Sequence, residues 1–375
     1  MKNIVFICQN ISSMGGVEVV TVSCAKEMVK KNNVSIVSLN LDKIPDELNK
    51  SAIKLFDVKA DKNKSVLSKK EILRIVDYCK SIKCDKVIVQ MNTPHRICKV
   101  ANYGLLRRLC ELCKTETVLH NSPTSFVRRY RLPNDSNIIF NLKNLKTKII
   151  FAPYAKKIIR KISHVSNICV LSKGCKDELK KVYGVDSVVR YNTYSFIEKG
   201  ALEKKNIITY VGRFSPEKNI MLILNAWKKC AAQDWILRLV GDGQEIDAIR
   251  NFIREHKLVN VELTGGKSHY LIANYLDESK ILVMASTNEG WPTVIVEAMN
   301  NRNAILTTHF DGFSDEILLE NENCLIADFE VNDYAKKMNL LLQDTIYLEN
   351  MMDKAYERCK SFYTSDDYKS TQDAL

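Results

Sequence analysis

Glu289 and Glu297 stand eight residues apart in the run Glu289-Gly290-Trp291-Pro292-Thr293-Val294-Ile295-Val296-Glu297 of a 375-residue chain. The apolar stretch 281–284 before this run reads as a short strand. The stretch 294–300 after it reads as a helix whose first turn suits Pro292. Glu289 therefore falls in a strand-to-helix loop, and Glu297 one to two turns into the helix. At a rise of 1.5 Å per residue the two carboxylates are roughly 10 Å apart, enough to hold two ends of one extended ligand. Between them the free backbone N–H groups at the helix start offer a seat for an anion. Carboxylates for hydroxyls on either side of a phosphate seat suit a nucleotide sugar.

Further groups with chemistry stand where strands end. Thr209-Tyr210-Val211-Gly212-Arg213 delivers a guanidinium into a loop, and Lys218 follows at the next helix start. Such cations clamp a diphosphate, Arg by a fork and Lys as a point charge. Near the N-terminus, Gly15-Gly16-Val17-Glu18 places paired glycines before a helix, where backbone can approach a bulky anion. His120 closes the apolar strand Thr117-Val118-Leu119, at the strand end where open α/β sheets bind ligands. Gly241, in Val240-Gly241-Asp242-Gly243, makes a tight turn after another strand.

These segments resemble the motifs of retaining glycosyltransferases of family four. The run from Glu289 to Glu297 is similar to that family's Glu-x7-Glu motif. Gly15, Gly16 and Glu18 resemble its Gly-Gly-x-Glu loop. Gly212, Arg213 and Lys218 match its Gly-Arg and following Lys, and Leu119-His120-Asn121-Ser122-Pro123 is similar to its His-Asp-Pro-like element. The chain departs from the pattern at Asn121, where Asp is common, and at Arg302, where a Gly is usual. In Tyr191-Asn192-Thr193 only the Asn of the family's Asn-Gly is kept.

The resemblance implies the GT-B fold, α/β with two Rossmann-like domains facing across a cleft. It implies transfer of a sugar from a nucleoside diphosphate sugar, of UDP or GDP type, to a hydroxyl of a glycan or lipid diphosphate-linked acceptor, with retention at the anomeric carbon, in cell-surface polysaccharide assembly. Glu289, His120, Arg213 and Lys218 would then be catalytic. Gly15, Gly16, Glu18, Gly212, Gly241, Gly290, Trp291, Pro292, Thr293, Val294 and Glu297 would bind substrates. No cofactor and no essential metal are expected, because no Asp-x-Asp is present to ligate Mg²⁺ and protein cations can replace it. A GT-B relative with other chemistry, such as an epimerase or phosphorylase, is an alternative. A non-catalytic membrane or nucleic-acid binding protein is another, which the paired phosphate and hydroxyl motifs argue against.

The elements that must position these residues alternate twice. Strands are expected at 4–8, 34–39, 53–58, 86–89, 116–120 and 167–171, with helices between them at, for example, 17–31 and 68–81. The pattern restarts with strands at 207–211, 236–240, 261–263, 281–284 and 304–307. Such alternation builds parallel sheets covered by helices. The expected domains are 1–195, binding acceptor, and 206–360, binding the nucleotide sugar. A tail at 361–375 is expected to pack back on the first domain.

Composition agrees with a globular two-domain chain, at 46% apolar and 27% charged residues. Met1 leads straight into a strand without a signal-peptide layout, and no apolar run approaches ~18 residues. Twelve scattered Cys look like a reduced complement, so a cytoplasmic location is expected. Residues 1–200 carry 37 Lys+Arg and 17 Asp+Glu, a net of 37 − 17 = +20, against 19 − 27 = −8 for the remainder. The basic first half, with Arg128, Arg129 and Arg131 beside Tyr130, and Lys156 and Lys157 beside Tyr154, reads either as a solvated face or as a surface that meets an anionic membrane at the inner face. No nucleic-acid signature accompanies this charge.

Overall fold

Continuous apolar strands set the architecture, because a parallel strand covered on both faces has no polar side to show. The structure, a computed structural model, describes every residue except 14, 50, 65, 92–101, 128–136, 201–202, 231, 314 and 374–375. It divides into two units, the first holding the described residues of Met1–Arg129 and Asn141–Tyr194, the second those of Tyr130–Phe140 and Ser195–Asp373. Arg128, Arg129, Tyr130 and Arg131 lie outside the described residues.

The first unit contains β1 (Asn3–Cys8), β2 (Asn33–Ser38), β3 (Lys54–Asp57), β4 (Lys86–Met91), β5 (Lys114–Leu119), β6 (Asn167–Val170) and β7 (Val188–Val189). They form one parallel sheet in the order β3-β2-β1-β4-β5-β6-β7. Burial follows position: central β4 is buried along its whole length, whereas edge strand β3 has no fully buried residue. Helices pack on one face over Val5, Ile7, Val87, Val89 and Val170. The helix Lys69–Ser81 begins with a reciprocal cap, Ser68 accepting from the Glu71 N–H and the Glu71 carboxylate accepting from the Ser68 N–H.

The second unit contains β8 (Lys205–Val211), β9 (Ile236–Val240), β10 (Val261–Gly265), β11 (Ser279–Val283), β12 (Ala304–Thr308) and β13 (Leu325–Ala327). Its order is β10-β9-β8-β11-β12-β13, again all parallel. Relabelled from its own first strand this is 3-2-1-4-5-6, the Rossmann order, and the first sheet follows the same order before β7 is added. The short strands β7 and β13 are additions to the sequence-based expectation, because two or three residues carry no readable period. In both sheets the order reverses beside the first strand, so the loops leaving β1 and β4, and those leaving β8 and β11, diverge around a crevice. The helices Thr345–Thr364 and Asp366–Asp373 belong to the second unit.

Candidate active site

The second sheet places Arg213 directly beyond β8, exposed, with its carbonyl accepting from the Tyr210 hydroxyl at 3.0 Å. Two backbone bonds, from the Gly212 N–H to the Val240 carbonyl (3.0 Å) and from the Phe214 N–H to the Asp242 carbonyl (2.8 Å), tie this loop to the loop after β9. The contact is so close that a Cβ on Gly241 would lie 1.9 Å from the Gly212 carbonyl oxygen. Gly241 is therefore required by backbone packing, beside the loop that carries Arg213. The chain then makes a 3₁₀ turn, Pro216–Lys218, and reaches the helix Ile220–Trp227 through Asn219 at φ +50°. Lys218 thus stands in the turn ahead of the helix.

The loop after β11 is strung between its neighbours. The Thr287 N–H donates to the Glu217 carbonyl (2.8 Å), the Asp311 N–H to the Thr287 carbonyl (3.0 Å), and the Glu289 N–H to the Asp311 carbonyl (3.0 Å). This fixes Glu289 opposite Lys218, whose ammonium donates to Glu289 Oε1 at 2.5 Å. Two residues 71 positions apart in sequence meet here because their strands are adjacent in the sheet.

Gly290, Trp291 and Pro292 are buried. The indole of Trp291 stacks on Phe362 at 5.7 Å, and its Nε1 donates to the Tyr363 hydroxyl at 3.2 Å. Trp291 therefore spends its side chain on anchoring the loop to the helix Thr345–Thr364, so a ligand near this position would meet backbone. Thr293 and Val294 open the helix Thr293–Asn300, which has no side-chain N-cap. Its first-turn N–H groups are those a helix leaves without internal partners, and they favour negative charge. Glu297 lies in the second turn and accepts from His269 Nε2 at 2.9 Å. His269 begins the helix His269–Glu278, after the Gly265-Gly266 turn that follows β10. Spacing could not reveal this partner, 28 residues away.

In the first unit His120 follows β5, with its backbone N–H on the Met91 carbonyl (3.0 Å) and its ring Nε2 donating to the Gln90 side-chain oxygen. Gln90 is a contact that sequence reasoning missed. Burial pushes the His120 pKa down to about 4, so the ring is neutral at ordinary pH. A neutral ring that donates through Nε2 keeps Nδ1 as an acceptor. Gly15 precedes the helix Gly16–Met28, which also lacks a side-chain N-cap. A Cβ on Gly16 would meet nothing within 4 Å, so packing does not demand a glycine there, unlike at Gly241. Glu18 is buried in that helix, and burial together with its charge raises the Cys8 thiol pKa to about 12. Among the described residues no group of three or more His, Cys, Asp or Glu is placed to hold a metal ion.

The chain is similar to known glycosyltransferases in sequence and fold. Residues 194–358 match the model for "Glycosyl transferases group 1". The chain is 24% identical over 379 residues to a Campylobacter jejuni GalNAc-alpha-(1->4)-GalNAc-alpha-(1->3)-diNAcBac-PP-undecaprenol alpha-1,4-N-acetyl-D-galactosaminyltransferase, covering 97% of this chain and 96% of that one. It is 24% identical to the amylovoran biosynthesis glycosyltransferase AmsD of Erwinia amylovora, covering 58% of this chain and 61% of that one. Among solved structures, Anabaena Alr3699/HepE in complex with UDP-glucose superposes with a TM-score of 0.74 at 14% identity, each chain fully covered. Two parallel sheets in Rossmann order, the likeness over nearly the whole length and the family match across the second sheet support a GT-B glycosyltransferase, with residues 194–358 matching glycosyl transferases group 1.

Proposed function

We propose that this glycosyltransferase is a retaining hexosyltransferase that takes its sugar from a UDP- or GDP-sugar and places it on a hydroxyl of a lipid diphosphate-linked glycan. The observation that carries the reading is the Lys218–Glu289 pair beside Arg213 at the order reversal of the second sheet. There a diphosphate would meet Arg213, Lys218 and the uncapped start of the helix Thr293–Asn300. Glu289 would orient the sugar through its hydroxyls, and Glu297 would hold the ribose diol. As the bond from the anomeric carbon to the diphosphate oxygen breaks, negative charge grows on the leaving group. Fixed cations and N–H groups already aimed there need no reorganisation, which lowers the barrier. The acceptor oxygen bonds to the same face of the anomeric carbon, and its proton passes to the departing diphosphate. His120, neutral and buried in the first unit, would serve as a hydrogen-bonding group for the sugar. Gly15, Gly16 and Glu18 would line the acceptor side.

The acceptors for which two Campylobacter jejuni relatives are named, carried on undecaprenol through a diphosphate, support a lipid-linked acceptor and work at the inner membrane face. Arg213 and Lys218 supply the positive charge a metal would bring, so the reaction is expected to run without one. The test is a thermal-shift screen of nucleotide sugars, followed by NMR of the glycoside made from the stabilising donor in the presence of EDTA. An α-linked product from an α-donor, formed in EDTA, is the expected result. A β-linked product would overturn retention, and loss of activity restored by Mg²⁺ or Mn²⁺ would overturn metal independence.

A further inference from the structure

The helix Thr293–Asn300, whose first turn stands at the proposed donor site, packs against the helix Thr345–Thr364. Spacings of three, three and four residues put Asp353, Tyr356, Cys359 and Tyr363 on one face of the longer helix. Each of them meets the shorter helix or a loop at one of its ends. Behind it, Arg302 Nη1 donates to Asp353 at 2.9 Å, and the guanidinium lies 3.8 Å from the centre of the Tyr356 ring. Midway, the Cys359 thiol donates to the Val296 carbonyl at 3.7 Å. In front, the Tyr363 hydroxyl accepts from Trp291 Nε1 at 3.2 Å. The family match ends at residue 358, so Tyr363 lies beyond it.

The rear and front fastenings differ in what they hold. Arg302 follows the last turn and stands at φ +53°, a conformation that favours glycine, with its contacts offsetting the strain. No residue of the proposed donor site is beside it in sequence. Trp291 is two residues from Glu289 and two from Thr293. Main-chain bonds hold this loop on either side of the indole, from the Glu289 N–H to the Asp311 carbonyl and from the Ile295 N–H to the Pro292 carbonyl, both 3.0 Å. A shift of the indole is therefore passed on to the carboxylate and to the helix start.

Tyr363 can set the indole's position because its own ring is boxed in. It is 5% exposed and meets Phe362 (5.0 Å, 77°) and Tyr368 (4.7 Å, 73°) edge to face, the latter from the helix Asp366–Asp373. A phenol carries its hydroxyl on the ring axis, so holding the ring holds the acceptor.

We propose that Tyr363 is a positioning residue of the donor site: through the indole of Trp291 it sets where Glu289 and the start of the helix Thr293–Asn300 stand. Its effect on a nucleotide rests on the function proposed above; the tie itself does not.

The test is hydrogen exchange of the full chain without ligand, read over residues 286–294 and, as a reference, over β12. Tyr363→Phe deletes only the hydroxyl and should speed exchange in 286–294 about fivefold, the factor one hydrogen bond is worth, with β12 unchanged. Trp291→Phe removes the donor instead and should act alike, and the double variant should exchange no faster than either single one. Arg302→Gly, which releases the rear fastening and relieves the positive φ, should lower the thermal midpoint yet leave 286–294 as in the parent. UDP and GDP then serve as probes in thermal-shift titrations. The dissociation constant of whichever stabilises the parent should rise about three- to tenfold in Tyr363→Phe and stay unchanged in Arg302→Gly, because misplaced groups lose binding that general loosening does not touch. Parental exchange in Tyr363→Phe, acceleration spread equally over β12, additive effects in the double variant, or an equal response in Arg302→Gly would each overturn the proposal. A parent stabilised by neither nucleotide would count against the donor site rather than against the tie, which exchange decides.

Discussion

Two lysine–glutamate contacts in this chain follow opposite logic. Glu116 of β5 is 1% exposed and meets Lys86 of β4 at 3.1 Å and Arg190 at 2.9 Å, themselves 6% and 8% exposed. Lys218 and Glu289 are 25% and 15% exposed and meet at strand ends beside a crevice. The first group has its carboxylate buried against the sheet, with half-exposed Lys114 also reaching it at 3.4 Å, and it serves the fold. The second is open enough that, on the function proposed above, it would exchange its partner for a ligand. The difference also separates bulk charge from site charge. The net +20 lies in residues 1–200, yet Arg213 and Lys218 belong to the remainder, whose net charge is −8. Net charge describes a surface, whereas strand ends decide where an anion can be held.

The sharpest way to break this contrast is Glu116→Gln. It leaves Lys86 and Arg190 buried against a neutral side chain, so about 3–5 kcal/mol of stability should disappear, read by denaturant unfolding. Retained stability would mean that the interior group is as exchangeable as the outer one. Next in size, Lys218→Ala and Glu289→Gln should each lower turnover by about 10²–10³, some 2–4 kcal/mol, with thermal midpoints close to the parent's. Near-parental turnover in either would make that pair as purely structural as Glu116.

His120 tests whether the first unit's site is neutral. Folded His120 takes a proton only near pH 4, the unfolded chain near 6.5. Between these values the unfolded state binds more protons, so stability falls as the pH falls. The full loss, up to about 3 kcal/mol, is reached below the folded value. Comparing parent and His120→Gln unfolding at pH 7 and pH 4 should show that component missing in the variant; equal slopes would place His120 in a wetter, chargeable site. The smallest effect is expected from His269→Ala, which frees Glu297 from one hydrogen bond. The KM for the nucleotide sugar should rise a few-fold, about 1 kcal/mol, with kcat little changed. A fall in kcat alone would contradict a role on the nucleotide side.

Much of the fold could be read from the chain because its central strands are apolar throughout and recur between amphipathic helices. β7 and β13 could not, being too short to show a period. The site residues near strand ends were legible as types, but their pairings were not. Lys218 meets Glu289, Glu297 meets His269 and Trp291 meets Tyr363 only through sheet adjacency and helix packing, which spacing does not encode. Trp291 illustrates the limit, since its place among the expected substrate-binding residues gave no sign that its side chain is tied to Phe362 and Tyr363. The π turn at Thr147–Phe151 was equally hidden, because the run Thr-Lys-Ile-Ile-Phe holds nothing that an ordinary α-helix could not carry.

The seam between the loops after β8 and β9 has a consequence for how such an enzyme can change. A Cβ on Gly241 would meet the Gly212 carbonyl oxygen at 1.9 Å, and one on Gly243 would meet the Phe214 carbonyl oxygen at 2.4 Å. Both obstacles are main chain, so no compensating replacement elsewhere can clear them. A lineage drifting toward a different sugar, or a laboratory library built to force that drift, gains nothing by sampling these positions. The variation that survives selection must come from residues flanking the seam.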